Sequence, residues 1–275
     1  MRGSASRQGR FPAMTDVHVH LERGPYTRAW VDRFVGTALA RGLTSVWLLE
    51  HTHRFAEFAP LYREAAARDP RHAAWLARKG GLRLSEYAAF VAAMKRESFP
   101  IELRWGLEVC HVPGHGDLVR GLAADGPFDF LTGSVHWLDG WGFDHGPEYW
   151  EGHDVDAAWL RHAELSLDLA ESGIYEVIAH PDSIKCFGHM PSAAASGELA
   201  AHHARLAQAL RERGMAAEVS AGLANNYGRA GVGMEPGLLG AMRDAGVRLV
   251  TASDAHRPED VGLRLGECRA AMTAP

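Results

Sequence analysis

The segment MTDVHVHL, residues 14–21, is the first of seven short apolar runs that decide the fold of this 275-residue chain. Apolar and polar side chains alternate along it, which is the period of a β-strand. Amphipathic stretches of helical period separate the runs, which is the pattern of a parallel sheet. The predicted strands are Met14–His20, Thr44–Glu50, Ile101–Val109, Phe128–Val135, Tyr175–His180, Ala216–Ser220 and Arg248–Ser253.

The stretches between these strands predict helices. Glycines stand where C-terminal caps belong at four of their ends, Gly42, Gly173, Gly214 and Gly246. The predicted helices are Arg28–Arg41, Leu84–Glu97, Gly116–Ala124, Asp156–Ser172, Glu198–Arg213, Pro236–Ala245 and Pro258–Met272. Seven strand–helix units without a break in composition indicate one barrel-like α/β domain over residues 14–275.

Two segments fall outside this repeat. Residues 1–13 are basic and small and lack the apolar core of a secretory signal. They are predicted to be a disordered tail, or else Met14 is the true start of the protein. Residues 55–81 carry an Ala- and Arg-rich helical pattern. They are expected to form a helical insertion that caps one mouth of the barrel and is a candidate lid.

Composition restricts the class of protein. The formal net charge is -5, so the basic footprint of a nucleic-acid or membrane-surface protein is missing. No apolar run is long enough to predict a transmembrane helix. Cys110, Cys186 and Cys268 form no CxxC pair, which excludes a disulfide framework and predicts a cytoplasmic location. The unusual count is 16 histidines, since histidine is the commonest metal ligand.

Histidine and carboxylate side chains recur where the predicted strands end. Asp16, His18 and His20 are expected on one face of the first strand, because side chains repeat every two residues. Later strand ends supply Glu50, His51, His53, Glu108, His136, His180, Asp254 and His256. Active sites of parallel barrels lie at these ends, and several carboxylates there would repel each other without cations. The pattern predicts two or three divalent ions, and imidazole with carboxylate ligands favours Zn, Mn or Fe.

With these residues in place, the chain resembles the polymerase-and-histidinol-phosphatase (PHP) superfamily, and within it the monofunctional histidinol-phosphate phosphatases. The motifs that carry the resemblance run in family order from Met14 towards the C-terminus. They are DVHVH at 16–20, EH at 50–51, GLEV at 106–109, GSVHWL at 133–138, IAHPD at 178–182, KCFGHMP at 185–191, SAGL at 220–223 and ASDAHRPEDVG at 252–262. The resemblance implies a single-domain, distorted (β/α)7 barrel with a trinuclear metal centre.

Carried over residue by residue, the resemblance also implies which side chains hold each ion. The first ion has the ligands His18, His20, Glu108 and Asp254; the second has Glu108, as a bridge, with His136 and His180; the third has His51 and His256. Family members usually have a histidine six residues after the second His of the HxH pair, where this chain has Tyr26. Glu22, on the same loop, is the candidate oxygen ligand in its place.

The implied reaction is hydrolysis of L-histidinol phosphate, a step of histidine biosynthesis, by a hydroxide that bridges the ions. Lys185 and His189 match the family's basic loop and are predicted to bind the phosphate. The basic residue that usually follows SAGL is missing, and Arg229 lies a few residues on. The candidate acids that protonate the leaving alkoxide are Asp254, His256 and a metal-bound water.

Other functions are compatible with parts of this pattern. An amidohydrolase also begins with HxH, but it usually bridges its metals with a modified lysine, where this chain has Glu108. A PHP hydrolase of another phosphomonoester or of a phosphodiester, and a non-catalytic metal-binding regulatory module, are the remaining alternatives. The expected partner is a small phosphorylated substrate, with no nucleic acid or membrane, and a homo-oligomer is compatible with the sequence.

Overall fold

A computed structural model describes residues 14–229 and 231–273, and the predicted tail, residues 1–13, lies outside them. The strands β1 to β9 are Thr15–His20, Ser45–His51, Glu102–Cys110, Phe130–Ser134, Trp137–Leu138, Trp141–Gly142, Val177–Ile178, Ala216–Ser220 and Arg248–Ala252. Within the described ranges, seven of them form one parallel sheet in the order β1-β2-β3-β4-β7-β8-β9. Strands β5 and β6 pair separately as an antiparallel hairpin that the sequence did not predict.

The sheet closes on itself between its first and last strands. Val19 of β1 pairs in parallel with Ala255, just beyond β9. The backbone N–H of His20 donates to the carbonyl oxygen of Ala255 over 2.7 Å. Because the strands are parallel, their carboxyl ends meet at one mouth of the barrel. The predicted distorted (β/α)7 barrel is therefore confirmed.

Helices surround the sheet. Buried apolar side chains between the helices and the sheet form the larger of two apolar clusters in the described chain. Along the described chain, α1 to α10 are Arg28–Ala40, Arg63–Arg68, Pro70–Lys79, Leu84–Met94, Gly116–Ala124, Val155–Glu171, Ala193–Arg213, Gly222–Tyr227, Pro236–Asp244 and Leu265–Thr273. No helix of this part of the chain combines the length and the apolar character that a bilayer crossing needs.

Two helix starts differ from the prediction for local reasons. Helix α7 begins at Ala193 instead of Glu198, because the side chain of Ser192 caps it by accepting from the N–H of Ala195. Helix α10 begins at Leu265 instead of Pro258. The intervening backbone takes positive φ angles at Gly262 and Arg264, which interrupts the helical path.

Asp16 does not share a face with His18 and His20, so that prediction is wrong. The pairing of β1 with β2 shifts register between Asp16 and Val19, which breaks the alternation on which the prediction relied. The carboxylate of Asp16 accepts from the N–H and the hydroxyl of Ser253 and from the N–H of Gly262. It fastens β1 to the segment after β9 instead of facing the barrel mouth.

Apolar side chains fill the barrel beneath its mouth. This cluster consists of Val17, Trp47, Leu49, Phe130, Val177, Ala216, Val250 and Ala252. The guanidinium of Arg104 covers the rings of Trp47 and Phe130 at 4.0 and 5.5 Å from their centroids. With this end packed by apolar groups, the interior is polar at the opposite mouth, where the strands end.

The segment after β2, where the sequence places a helical insertion, consists of short helical elements. Two 3₁₀ turns, Thr52–Arg54 and Ala56–Tyr62, lead into α2 and α3. Asp69 caps α3 by accepting from the N–H of Arg71, and Pro70 takes its first position. Buried Phe58 tethers the segment to the core.

Gly106→Ala is expected to lower the free energy of unfolding by about 1–3 kcal/mol. A Cβ at Gly106 would lie 2.6 Å from the carbonyl oxygen of Phe130, which the neighbouring strand holds in place. Urea denaturation measures the change. Gly240→Ala in α9 is the matched control, because no heavy atom lies within 4 Å of its Cβ position. It is expected to be neutral or stabilising by up to about 1 kcal/mol, and equal losses in the two variants would contradict the packing interpretation.

Candidate metal centre

The carboxylate of Glu108, at the end of β3, is the centre of a histidine cluster. Its Oε2 faces three ring nitrogens, those of His51 at 2.8 Å, His20 at 3.3 Å and His18 at 3.4 Å. Its Oε1 faces two more, those of His180 at 3.3 Å and His136 at 3.5 Å. Five imidazoles from four strand or loop segments thus converge on one side chain.

Asp254 forms a second point of convergence, after β9. Its Oδ1 lies 3.6 Å from Nε2 of both His18 and His20 and 3.4 Å from Nε2 of His256. The Nδ1 of His256 is bonded to Oε1 of Glu22 at 2.8 Å. The nine predicted ligands are therefore neighbours in space, although they come from six parts of the chain.

Three sets of ligand atoms lie close enough together to hold an ion, with all atoms of a set within 4.8 Å of one another. The sets are His18, Glu108 and His180; His18, His20 and Asp254; and His20, His51 and His256. Nε2 of His18 lies 2.9 Å from Nε2 of His20, so the two rings point at a common position. These sets overlap in the way that adjacent ions sharing ligands require.

The buried negative charge of Glu108 is compatible with cations bound next to it. Its side chain is fully buried, and although ring nitrogens lie within 3.5 Å of both oxygens, none in the described residues is aligned to form a hydrogen bond. Burial alone would raise the pKa of Glu108, but the surrounding histidines, led by His51 and His18, hold it well below its usual range. A buried, ionised carboxylate needs positive charge close by. Divalent ions shared with the imidazoles would supply it, so the donor set fits a metal centre.

The backbone at two of these ligands is held in an uncommon conformation. His180 and Asp254 have φ angles of 26° and 54°, which cost of order 1–3 kcal/mol each at non-glycine residues. Asn226 supports Asp254 by donating to its carbonyl oxygen and to Oδ2, both at 3.0 Å. A Cβ at Gly222 would lie 2.3 Å from Oδ2 of Asp254. The glycine of the SAGL motif therefore leaves room for this carboxylate.

Glu218 belongs to the centre and was not predicted from the sequence. Its Oε1 bonds Nδ1 of His18 at 2.8 Å, and its Oε2 accepts from the N–H of His180 at 3.0 Å. It is fully buried in β8. Burial lowers the pKa of His18, but Glu218 and Glu108 together raise it well above its usual value. The signal that could have found it is a glutamate in the apolar run Ala216–Ser220.

An open cavity exposes the cluster to solvent at the barrel mouth. Its lining includes the predicted ligands Glu22, His51, His136, His180, Asp254 and His256. Side chains not predicted to line it are Trp75, Lys79, Trp137, Asp144, His145, Asn226 and Tyr227. His53, which the sequence placed near the mouth, also lines it. Trp75 and Lys79 come from α3, so the insertion forms part of the cavity wall.

The three predicted phosphate-binding residues do not line this cavity. The ammonium of Lys185 donates to Asp182 and to the carbonyl of Gly233, and the ring of His189 stacks on Trp150 with centroids 4.4 Å apart. The guanidinium of Arg229 lies beside Gly188. These contacts hold the side chains of Lys185 and His189 against other parts of the protein.

Tyr26, at the position where the family usually has histidine, is also directed away from the cluster. Its ring packs on Tyr87 and Phe90 with centroid distances of 5.2 and 5.3 Å. Arg54 approaches its hydroxyl at 3.5 Å and pairs with buried Glu50. The space next to His256 is taken by Glu22 instead.

Comparisons with known proteins agree with this architecture. A scan against models of protein families gives no match. A Deinococcus radiodurans protein named as a probable histidinol-phosphatase is 31% identical in an alignment of 195 residues that covers 67% of this chain and 69% of that protein. A crystal structure of histidinol phosphate phosphatase from Lactococcus lactis, with zinc, L-histidinol and phosphate, has a TM-score of 0.68 at 17% identity, covering 94% of this chain and 92% of that one. A Listeria monocytogenes protein named as a histidinol phosphatase has a TM-score of 0.70 at 16% identity, covering 90% and 97%.

Glu218→Gln is expected to weaken metal binding by about ten- to a hundredfold, because the ligand His18 loses the charge that orients it and raises its basicity. Competition with a chelator measures the affinity. Glu86→Gln, an exposed change of the same kind on α4, is the control. Equal metal affinity in the two variants would show that Glu218 has no orienting role.

Proposed function

This chain belongs to the histidinol-phosphatase family, and we propose that it hydrolyses L-histidinol phosphate to L-histidinol and phosphate with divalent ions bound at its strand ends. The observation that carries the proposal is the buried Glu108 carboxylate with five ring nitrogens around it. The 31% sequence identity with the Deinococcus radiodurans protein named as a probable histidinol-phosphatase supports the choice of substrate. Zinc in the Lactococcus lactis structure supports zinc as the first ion to test.

We assign three ions to ligands drawn from the three overlapping sets of ligand atoms, with Glu108 added to the first ion and His136 to the second, because both lie in the same cluster. One would be held by His18, His20, Glu108 and Asp254, and a second by Glu108, His136 and His180. A third would use His51 and His256 with His20, and Glu22 would hold the ring of His256 in place. Bound divalent ions acidify water and offset negative charge on phosphoryl oxygens.

The leaving alkoxide needs a proton, and His256 is the proposed donor. Burial would raise the pKa of Asp254, the other candidate, but its hydrogen bonds with His20 and His256 hold it well below its usual range, so this carboxylate has no proton to donate. Burial lowers the pKa of His256, but the carboxylates of Asp254 and Glu22 outweigh it and raise the pKa to about 9. The ring therefore holds a proton near neutral pH. A ring nitrogen bound to an ion cannot donate a proton. His256 is therefore a ligand if the third ion is bound and a proton donor if it is not.

A different small phosphomonoester is the second candidate substrate. The observation that favours it is that Lys185, His189 and Arg229 lie outside the cavity lining. The residues that select the alcohol part of the substrate are then those of this chain's own cavity wall. We also propose a cytoplasmic location, in line with the buried, free thiols of Cys110, Cys186 and Cys268.

A panel of phosphomonoesters, assayed with Zn, Mn or Fe and with chelator, tests the function. We expect metal-dependent release of phosphate, fastest from histidinol phosphate. Release from other monoesters only would retain the reaction and reject this substrate. The absence of metal-dependent release from every monoester would reject the phosphatase function.

His18→Ala is expected to lose bound metal and to lower kcat by at least about a hundredfold, because His18 belongs to two of the three ligand sets. Elemental analysis and the phosphatase assay measure the two effects. His115→Ala is the control, since this ring bonds the carbonyl of Pro113 outside the cavity. Retention of both metal and turnover in His18→Ala would refute the ligand assignment.

A further inference from the structure

One face of helix α3 looks into the cavity that holds the metal ligands. His72, Trp75 and Lys79 are spaced by three and four residues, so they lie along one side of the helix. Trp75 and Lys79 line the same cavity as His51 and His136. The last turn of α3 therefore presents its lysine at the mouth of the proposed active site.

This helix is docked firmly enough to position that lysine. His72 is 1% exposed, and its Nε2 accepts from the N–H of Gly142 in the β5–β6 hairpin at 3.2 Å. Its ring stacks on Tyr149 with centroids 4.8 Å apart. One turn later, Trp75 stacks on His145 at 4.2 Å. These contacts tie the first two residues of the helix face to the segment that follows β4, and Lys79 lies one turn beyond them.

The charge of the cavity wall makes this position distinctive. Among the described residues that line the cavity, Lys79 is the only lysine or arginine. Its side chain is exposed and makes no hydrogen bond or ion pair with another described residue. Burial is the main cause that lowers the pKa of His145 to about 4, so that ring is neutral near pH 7. Lys79 therefore supplies the lysine charge on the described part of the cavity wall.

We propose that Lys79 binds a phosphoryl oxygen of the substrate, so that the insertion supplies the cation that is missing after SAGL. The inference rests on the proposed phosphatase function. An ammonium on a flexible stem can reach a phosphate that enters the cavity, and a charge-assisted bond to phosphate is stronger than a neutral one. Lys185, which the sequence suggested for this role, is already engaged by Asp182.

The test compares three variants of the metal-loaded enzyme, Lys79→Ala, Lys79→Arg and Arg78→Ala. Arg78 is an exposed neighbour on α3 that does not line the cavity, so its loss changes net charge equally. KM and kcat are measured with histidinol phosphate and with p-nitrophenyl phosphate, and inorganic phosphate is measured as an inhibitor. For Lys79→Ala we expect KM and the inhibition constant of phosphate to rise about tenfold with kcat within about twofold. Lys79→Arg should restore most of the affinity, and Arg78→Ala should match the parent.

The outcomes separate this proposal from the proposed function. If the protein hydrolyses p-nitrophenyl phosphate and not histidinol phosphate, the proposed substrate is rejected. The role of Lys79 is then still tested by KM and kcat with p-nitrophenyl phosphate. If it hydrolyses neither, calorimetric titration of the metal-loaded protein with inorganic phosphate compares the same variants. Equal phosphate affinity in Lys79→Ala and Arg78→Ala, or a fall in kcat with KM unchanged, would overturn the role of Lys79. The absence of phosphate binding in the parent protein would overturn it too.

Discussion

The structure depends on one constraint, the burial of the ionised carboxylate of Glu108 among five imidazoles. This group is 0% exposed, and no ring nitrogen of the described chain is aligned to form a hydrogen bond with either oxygen. In a medium of low dielectric constant such a charge is costly unless cations lie close to it. Strand β3 carries Glu108 to the centre of the barrel mouth, and the neighbouring strand ends bring the histidines to it. The barrel is the scaffold that makes these distances short.

The two ends of the barrel interior differ in polarity, and each end has its own function. The lower interior is filled with apolar side chains under Arg104, so it stabilises the fold by excluding water. The upper end carries the candidate ligands, whose carboxylates face imidazoles from the neighbouring strand ends. Glu218 lies in β8, inside the barrel, and its carboxylate bonds both the ring of His18 and the backbone N–H of His180. A single buried glutamate thus fixes two ligands of the centre.

The wall of the cavity shows why substrate choice is harder to predict than chemistry. The ligands follow strand ends, and strand ends can be recognised from periodicity. Trp75 and Lys79 come from a helical insertion, and Trp137 and His145 come from the segment after β4, so their meeting depends on packing. His72 joins these two segments through its bond to Gly142. Sequence spacing alone carries no information about that contact.

The sequence by itself determined the strand rhythm, the barrel class and the nine candidate ligands, because the period of two in strands and the C-terminal mouth of parallel barrels are local and topological rules. It misplaced Asp16, because a register shift in β1 is invisible to alternation. The assignment of Lys185, His189 and Arg229 to phosphate stays a prediction, and these three side chains do not line the cavity that holds the candidate ligands. The tertiary structure alone decided the positions of Glu218, Gly222 and the α3 face. Each of these rests on a contact between segments far apart in the chain, which only the folded packing creates.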